Sequence, residues 1–190
     1  MRDTTLYIRS LKYAKHTKGF FLKSEQTINL LIGWLLYPLG DLVGQLLLGK
    51  FEPERILVMT LVGGLLYRFE IPAWFRMLDG ISIAGKKLTW IGRTIGAMLY
   101  FNPLWIARHV FFIYLATHHF QLGTDFSSAV AVILNCLVVG LKSFIMNLPI
   151  SVVGNLIIQT KLPMQYRFAG SATLSAIFAV SYAIEYLLFR

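Results

Sequence analysis

The chain alternates long apolar runs with short polar breaks, and the runs set the architecture. They cover 27–48, about 56–75, a stretch within 90–117, about 128–150 and about 168–189. A helix needs roughly 20 predominantly apolar residues to cross a bilayer, and each run meets or approaches that length. Between them lie Gly49-Lys50-Phe51-Glu52-Pro53-Glu54-Arg55, a connection at 76–89 with Gly80 and Gly85, a loop at 118–127 and a linker at 159–167 with Pro163. Glycine, proline and charge gather at these breaks, as turns require. The pattern predicts an all-α, polytopic transmembrane helix bundle of about five spans, with 27–190 as a single domain. Four spans, with the last apolar run half-inserted, is the competing count.

Polar residues inside the runs are the candidate chemistry. In the first run, Asp41 and Gln45 are four apart and share a helix face. Gly40 and Gly44 form a small-xxx-small pair that lets another helix approach closely, and Gly92 and Gly96 repeat that spacing. Pro38 frees a backbone carbonyl one turn earlier, which suggests a kink. Arg68, Glu70, Asn102, Arg108, Asn135, Lys142 and Asn147 also fall at or near membrane depth. Such groups face a bundle interior or a wet cavity, or snorkel to the interface. Arg108 and Lys142 are the expected cationic partners of Asp41. Three basic groups against two acids favour anionic or zwitterionic solutes over cations. Pro38, Pro103 and Pro149 each lie near a polar residue, where a broken helix can re-satisfy its backbone. Two readings stay open. Asp41, Gln45, Arg68, Asn102, Arg108, Asn135, Lys142 and Asn147 line a solute pathway, or they form buried contacts that merely lock helices together.

Val62-Gly63 is followed nine residues later by Ile71-Pro72, and Val139-Gly140 by Leu148-Pro149 at the same spacing. Paired hairpins of that kind are a common transporter construction.

Composition agrees with the pattern and narrows the function. Apolar residues make up 56% of the 190 positions and charged ones 14%, with mean hydropathy +0.63. A soluble domain carries about a quarter charged residues. The net charge of +9 is not a nucleic-acid footprint, because the basic residues sit mostly between the apolar runs. With the N-terminus inside, twelve basic residues fall in inside segments and three in outside ones, as the positive-inside rule demands. Residues 1–26 form a basic, partly amphipathic segment suited to an anionic membrane surface. It lacks the features of a secretory signal and is expected to be retained, and its basic, acid-poor character also fits organelle targeting. Cys136, the single cysteine, lies in a predicted span as a packed small apolar residue, with no disulfide framework or thiol cluster. No nucleophile elbow, phosphate-cradling loop or HExxH motif is present, so neither an enzyme nor a metal or other cofactor is expected. His118 and His119 are adjacent and point apart, as solvated loop residues do.

Several spaced features resemble the Mpv/PMP family of small channel-like proteins of mitochondrial and peroxisomal membranes. Gly40-Asp41 with Gln45 is similar to its G-D-x-x-x-Q. Arg55, Gly63 and Trp74-Phe75-Arg76-Met77-Leu78-Asp79 resemble its R…G…W-[YF]-x-x-L-[DE] string. Phe101-Asn102-Pro103 falls where an F-x-P belongs, and Pro163-Met164-Gln165-Tyr166-Arg167 resembles P-x-x-[YF]-R. Phe101-Asn102-Pro103-Leu104-Trp105 and Gly123-Thr124-Asp125-Phe126 are similar to stretches of bacterial L-alanine exporters, whose P-Y-G-x-x-R-D signature is missing here. Both resemblances imply passage of small metabolites. The first implies the mitochondrial inner membrane; otherwise a bacterial inner membrane is expected.

The expected function is therefore a small integral membrane protein forming a channel or exporter-like pathway for small polar or anionic metabolites. The alternative is a non-catalytic subunit packed in a larger membrane complex. Expected partners are the lipid bilayer, a small-molecule solute, and either further copies of the chain or complex subunits.

Overall fold

A computed structural model describes residues 26–188, the side chains at 100–102, 185, 186 and 188 excepted. The basic segment predicted at 1–26, Gln26 apart, lies outside the described residues, as do Arg190 and the side chain of Asn102. Six helices make up the described residues: α1 Gln26–Leu47, α2 Pro53–Gly80, α3 90–117, α4 Phe126–Met146, α5 Leu148–Lys161 and α6 Met164–Leu188. A short antiparallel hairpin, β1 Ser82–Ile83 and β2 Lys86–Lys87, joins α2 to α3. α1, α2, α4 and the Met164–Ile184 part of α6 are long and apolar enough to cross a membrane. This is an integral membrane protein. α3 spans as many residues as α2, but Arg93, Arg108 and His109 interrupt its apolar character.

Local chemistry explains where the helices stop. α1 closes in a Schellman motif: Lys50 N–H reaches Gln45 O at 2.9 Å and Gly49 N–H reaches Leu46 O at 3.1 Å. That closure needs a left-handed residue, and Gly49 supplies it at φ +65°. α2 starts on Pro53, whose missing N–H costs nothing in a first turn. α4 starts on a capping box in which Asp125 accepts the Ser128 N–H at 2.7 Å. α4 and α5 are separated only by Asn147, with Pro149 in the first turn of α5, so they form one broken traverse. The helix continues through Pro38, whereas Pro103 lies within a π-helical turn, Phe101–Trp105. A second π-helical turn interrupts α2 at Val62–Tyr67.

Polar contacts at the two ends fix the direction of each traverse. At one end, Thr117 of α3 donates to Glu52, just before α2, at 3.0 Å, and His119 lies 3.6 Å from Glu54. At the other, Asp79 of α2 accepts from Arg93 of α3 at 2.9 Å and from Arg167 of α6 at 3.0 Å. α1 and α6 run parallel, since Gly40 packs on Ala176 and Gly44 on Ala179 and Ala183. Counting α4–α5 once, the described residues cross the bundle five times.

Two glycines mark close crossings within the hairpins. Gly63 backs onto Gly33 and Tyr37, and a Cβ on Gly140 would come within 2.7 Å of the Ala107 backbone. These are the glycines of the two Val-Gly dipeptides, so each sits at the crossing of its own hairpin. Of the four predicted packing glycines, Gly40, Gly44 and Gly96 meet another helix, Gly96 through Leu78. Gly92 is a correction: its neighbours are Leu88 and Thr89 of the preceding turn, because it faces along its own chain. The core between the helices is aromatic and aliphatic, with Tyr67, Ile71, Phe75, Ile106, Phe168 and Phe178 all buried.

Candidate functional site

The first polar constellation grows from the α1–α2 turn. Asp41 is 3% exposed, and the Arg55 guanidinium donates to its Oδ1 at 2.5 Å. Gln45, one turn along α1, donates from Nε2 to Asp41 Oδ2 at 2.6 Å. Its Oε1 accepts the backbone N–H of Glu52 at 2.5 Å. Each carboxylate oxygen thus has one donor, and the contacts tie α1 to the start of α2. Arg55 is reachable because the tight turn folds it back over Asp41. Neither Arg108 nor Lys142 is the partner, contrary to the sequence expectation.

Arg108 instead pairs with Glu70 at 2.7 Å and lies over the Tyr67 ring, 5.0 Å from its centroid. Lys142 and Asn135 are corrections of a different kind: both lie on the exposed face of α4, which packs on α3 by its other side. Arg68 is half-buried and stacks over Phe69 at 4.2 Å, away from the ion pairs. Asn147 is buried at the α4–α5 break, where its Oδ1 accepts the Ser181 hydroxyl at 2.6 Å. The surplus of interior positive charge read from sequence is therefore not realised among the described residues. Buried Asp41 and half-buried Glu70 each face one arginine, and Lys142 is exposed.

The two π-helical turns end on Tyr67 and Trp105, whose rings meet at 5.3 Å. A π turn adds a residue to the helix and shifts which side chains face inward, a geometry frequent at functional sites. Tyr37 approaches Tyr67 at 5.0 Å, and His109 stacks on Trp105 at 4.9 Å. Trp105 Nε1 and His109 Nδ1 are buried without a hydrogen-bond partner among the described residues.

A cavity of about 420 Å³ opens beside this cluster, between α1, α2, α3, α4 and α6. Asp41, Arg55, His109 and Ser175 give it polar points; Ile106, Val110, Val139 and Phe178 give it apolar walls. Such a volume suits a small solute, with few polar groups to orient it. Trp105, His109 and Arg55 were not singled out as pathway residues from sequence. A tryptophan and a histidine four apart on a span would have been the signal.

The chain matches no known family model, no characterised protein and no solved structure.

Proposed function

We propose that this protein passes a small polar or zwitterionic solute across its membrane, using the cavity walled by Asp41, Arg55, Trp105 and His109. The observation that carries the reading is a cavity within the helix bundle that joins apolar walls to the Asp41–Arg55 ion pair and to the rings of Trp105 and His109. A mostly apolar cavity with a few convergent polar groups is the usual form of a small-molecule site. Of the polar, zwitterionic and anionic solutes expected from sequence, the balanced pairs Asp41–Arg55 and Glu70–Arg108 weigh toward the polar and zwitterionic ones. Asp41, Gln45, Arg55, Asp79 and Arg167, which carry the Mpv/PMP resemblance, make up the ion clusters at the two bundle ends. On that resemblance the membrane is the mitochondrial inner membrane; without it, a bacterial inner membrane. The test is efflux from proteoliposomes loaded with a panel of small neutral, zwitterionic and anionic metabolites. Efflux no faster than from empty vesicles for every member refutes the reading.

A second reading, a subunit of a larger membrane complex, is favoured by α4. Only 11% of its apolar window is buried, against 33–44% in the other three candidate spans. Its outward face carries Asn135 and Lys142. Since Gly140 packs on Ala107, Lys142 lies near the middle of α3, where a lipid-facing ammonium is costly. Obligatory co-purification with other chains after mild extraction, with no flux by the isolated protein, distinguishes this reading from the first.

A further inference from the structure

Asn147, Ser151, Asn155 and Gln159 recur every four residues along the last part of the broken α4–α5 traverse, and all four are buried. The opposite face of α5 carries exposed Val152, Val153 and Ile157, as a lipid-facing side should. The polar stripe instead faces into the bundle, where α5 packs against α6 and the first half of α3. Gly154 meets Leu174, and Gly170 of α6 meets Ile158.

The stripe is more than a set of local bonds. Asn155 donates to Ser151 O at 2.9 Å and to Ser151 Oγ at 3.3 Å, within its own helix. Gln159 has neither its amide nitrogen nor its amide oxygen satisfied among the described residues, although it is only 2% exposed. A buried carboxamide left wholly unpaired forfeits the hydrogen bonds it made in water, unless water or a solute completes it. Asn147, at the upper end of the stripe, is bonded to Ser181, the residue before cavity-wall Tyr182. The lower end falls one turn before Leu162, whose carbonyl accepts from Arg167 of the Asp79 cluster. The stripe therefore runs along the seam between α5 and α6 toward the Asp79 end of the bundle, and none of its four residues lines the cavity.

We infer that Asn147, Ser151, Asn155 and Gln159 form a hydrated track for small hydrogen-bonding solutes along the α5–α6 seam toward the Asp79 end of the bundle. The inference rests on the transport reading for its purpose, and deepens it by assigning a second polar surface to the route. Carboxamides and hydroxyls offer donors and acceptors in alternation and add no net charge. They can replace the hydration of a neutral or zwitterionic solute, and a bare ion would gain little from them.

The test is thiol accessibility in the full chain, on a Cys136→Ser background reconstituted in vesicles. Ser151→Cys, Asn155→Cys and Gln159→Cys are compared with Val153→Cys and Ile157→Cys on the same helix, using a small cationic methanethiosulfonate. The track predicts that the inward positions react about tenfold or more faster than the lipid-facing ones, because the thiolate forms only where water reaches. Equal rates overturn it. Ser151→Cys changes one oxygen to sulfur, so it supplies the comparison even if the longer replacements are not recovered. Efflux by the unsubstituted protein is measured in parallel. Efflux without a labelling contrast overturns the track and leaves the cavity reading standing. A contrast without efflux supports a hydrated track and counts against transport.

Discussion

Replacing Asp41 by asparagine tests the α1–α2 ion pair with almost no change of shape. The carboxylate receives two donors, Arg55 Nη2 at 2.5 Å and Gln45 Nε2 at 2.6 Å. Asparagine offers one acceptor oxygen and one NH₂, so one of those donors must face another donor. Gln45 cannot turn its amide to escape, because its Oε1 already accepts the Glu52 N–H at 2.5 Å. Arg55 is left as an uncompensated charge with 16% exposure, and Glu52, at 3.8 Å, can take over only part of the interaction.

Removing one partner of a fully buried pair costs about 3–5 kcal/mol. The exposure of Arg55 and its second carboxylate reduce this to about 2–3 kcal/mol. At about 2–4 °C per kcal/mol for a chain of this size, the melting temperature should fall by about 4–12 °C. Thermal unfolding in mild detergent, followed by the monodisperse fraction remaining, measures the loss. Arg55→Met in the Asp41→Asn background should recover much of it, whereas Arg108→Gln or Lys142→Gln should recover none. Only the true partner gives a non-additive cycle. A silent Asp41→Asn, or strictly additive behaviour with Arg55→Met, would refute the assignment.

Three further outcomes follow from the geometry. Gly40→Ala should lower yield and melting temperature, because its Cβ would come 2.6 Å from the Ala176 backbone, whereas Gly80→Ala, with nothing within 4 Å, should not; equal behaviour of the two removes the packing role. Cysteines introduced at Lys86 and Gln121 should label from opposite sides of the membrane, Lys86 from the inside, and labelling from one side would overturn the odd number of crossings. Hydrogen bonds from the Ser128 N–H, then from the Ser128 and Ser127 hydroxyls, hold the Asp125 carboxyl below its ordinary value of 3.8. A depressed folded pKa stabilises above the unfolded value and loses that contribution as pH falls through the folded one. Asp125→Ala should therefore speed amide exchange in the first turn of α4 at neutral pH, with the difference from the unsubstituted chain closing in strong acid.

The helical class and the broad course of the chain were legible because hydropathy reports what lipid demands. Runs of apolar residues became helices, and the glycine and proline breaks became turns. The α4–α5 break was less plain. A continuous apolar run hid it, although Asn147-Leu148-Pro149 carried the signal. The side-chain site was legible only in part. Asp41, Gln45 and Asn147 could be recognised because an isolated polar group in an apolar run must be accommodated. Asn135 and Lys142 satisfied the same criterion and yet face outward, since depth in a run says nothing about azimuth around a helix. The stripe Asn147, Ser151, Asn155 and Gln159 has a spacing of four that sequence does display. It was overlooked because serine and glutamine near a linker look unremarkable one at a time.

The partner of Asp41 was misassigned for an instructive reason. Depth along separate spans pointed to Arg108 and Lys142, whereas a tight antiparallel hairpin obeys a stricter rule. Residues equidistant from the turn lie level with each other, wherever the chain runs polar or apolar. Gly33 and Gly63, which meet at the α1–α2 crossing, are equidistant from Leu48. Asp41 and Arg55 are also equidistant from Leu48, and they form the ion pair. One close glycine contact therefore fixes the register of the whole hairpin and brings an arginine from its rim onto a buried acid. The pairing lets a carboxylate sit near the end of a lipid-spanning helix with an arginine of its own hairpin as partner, and both side chains stand on the cavity wall. Arg108, which depth alone would have given to Asp41, is thereby left to Glu70 and the face of Tyr67.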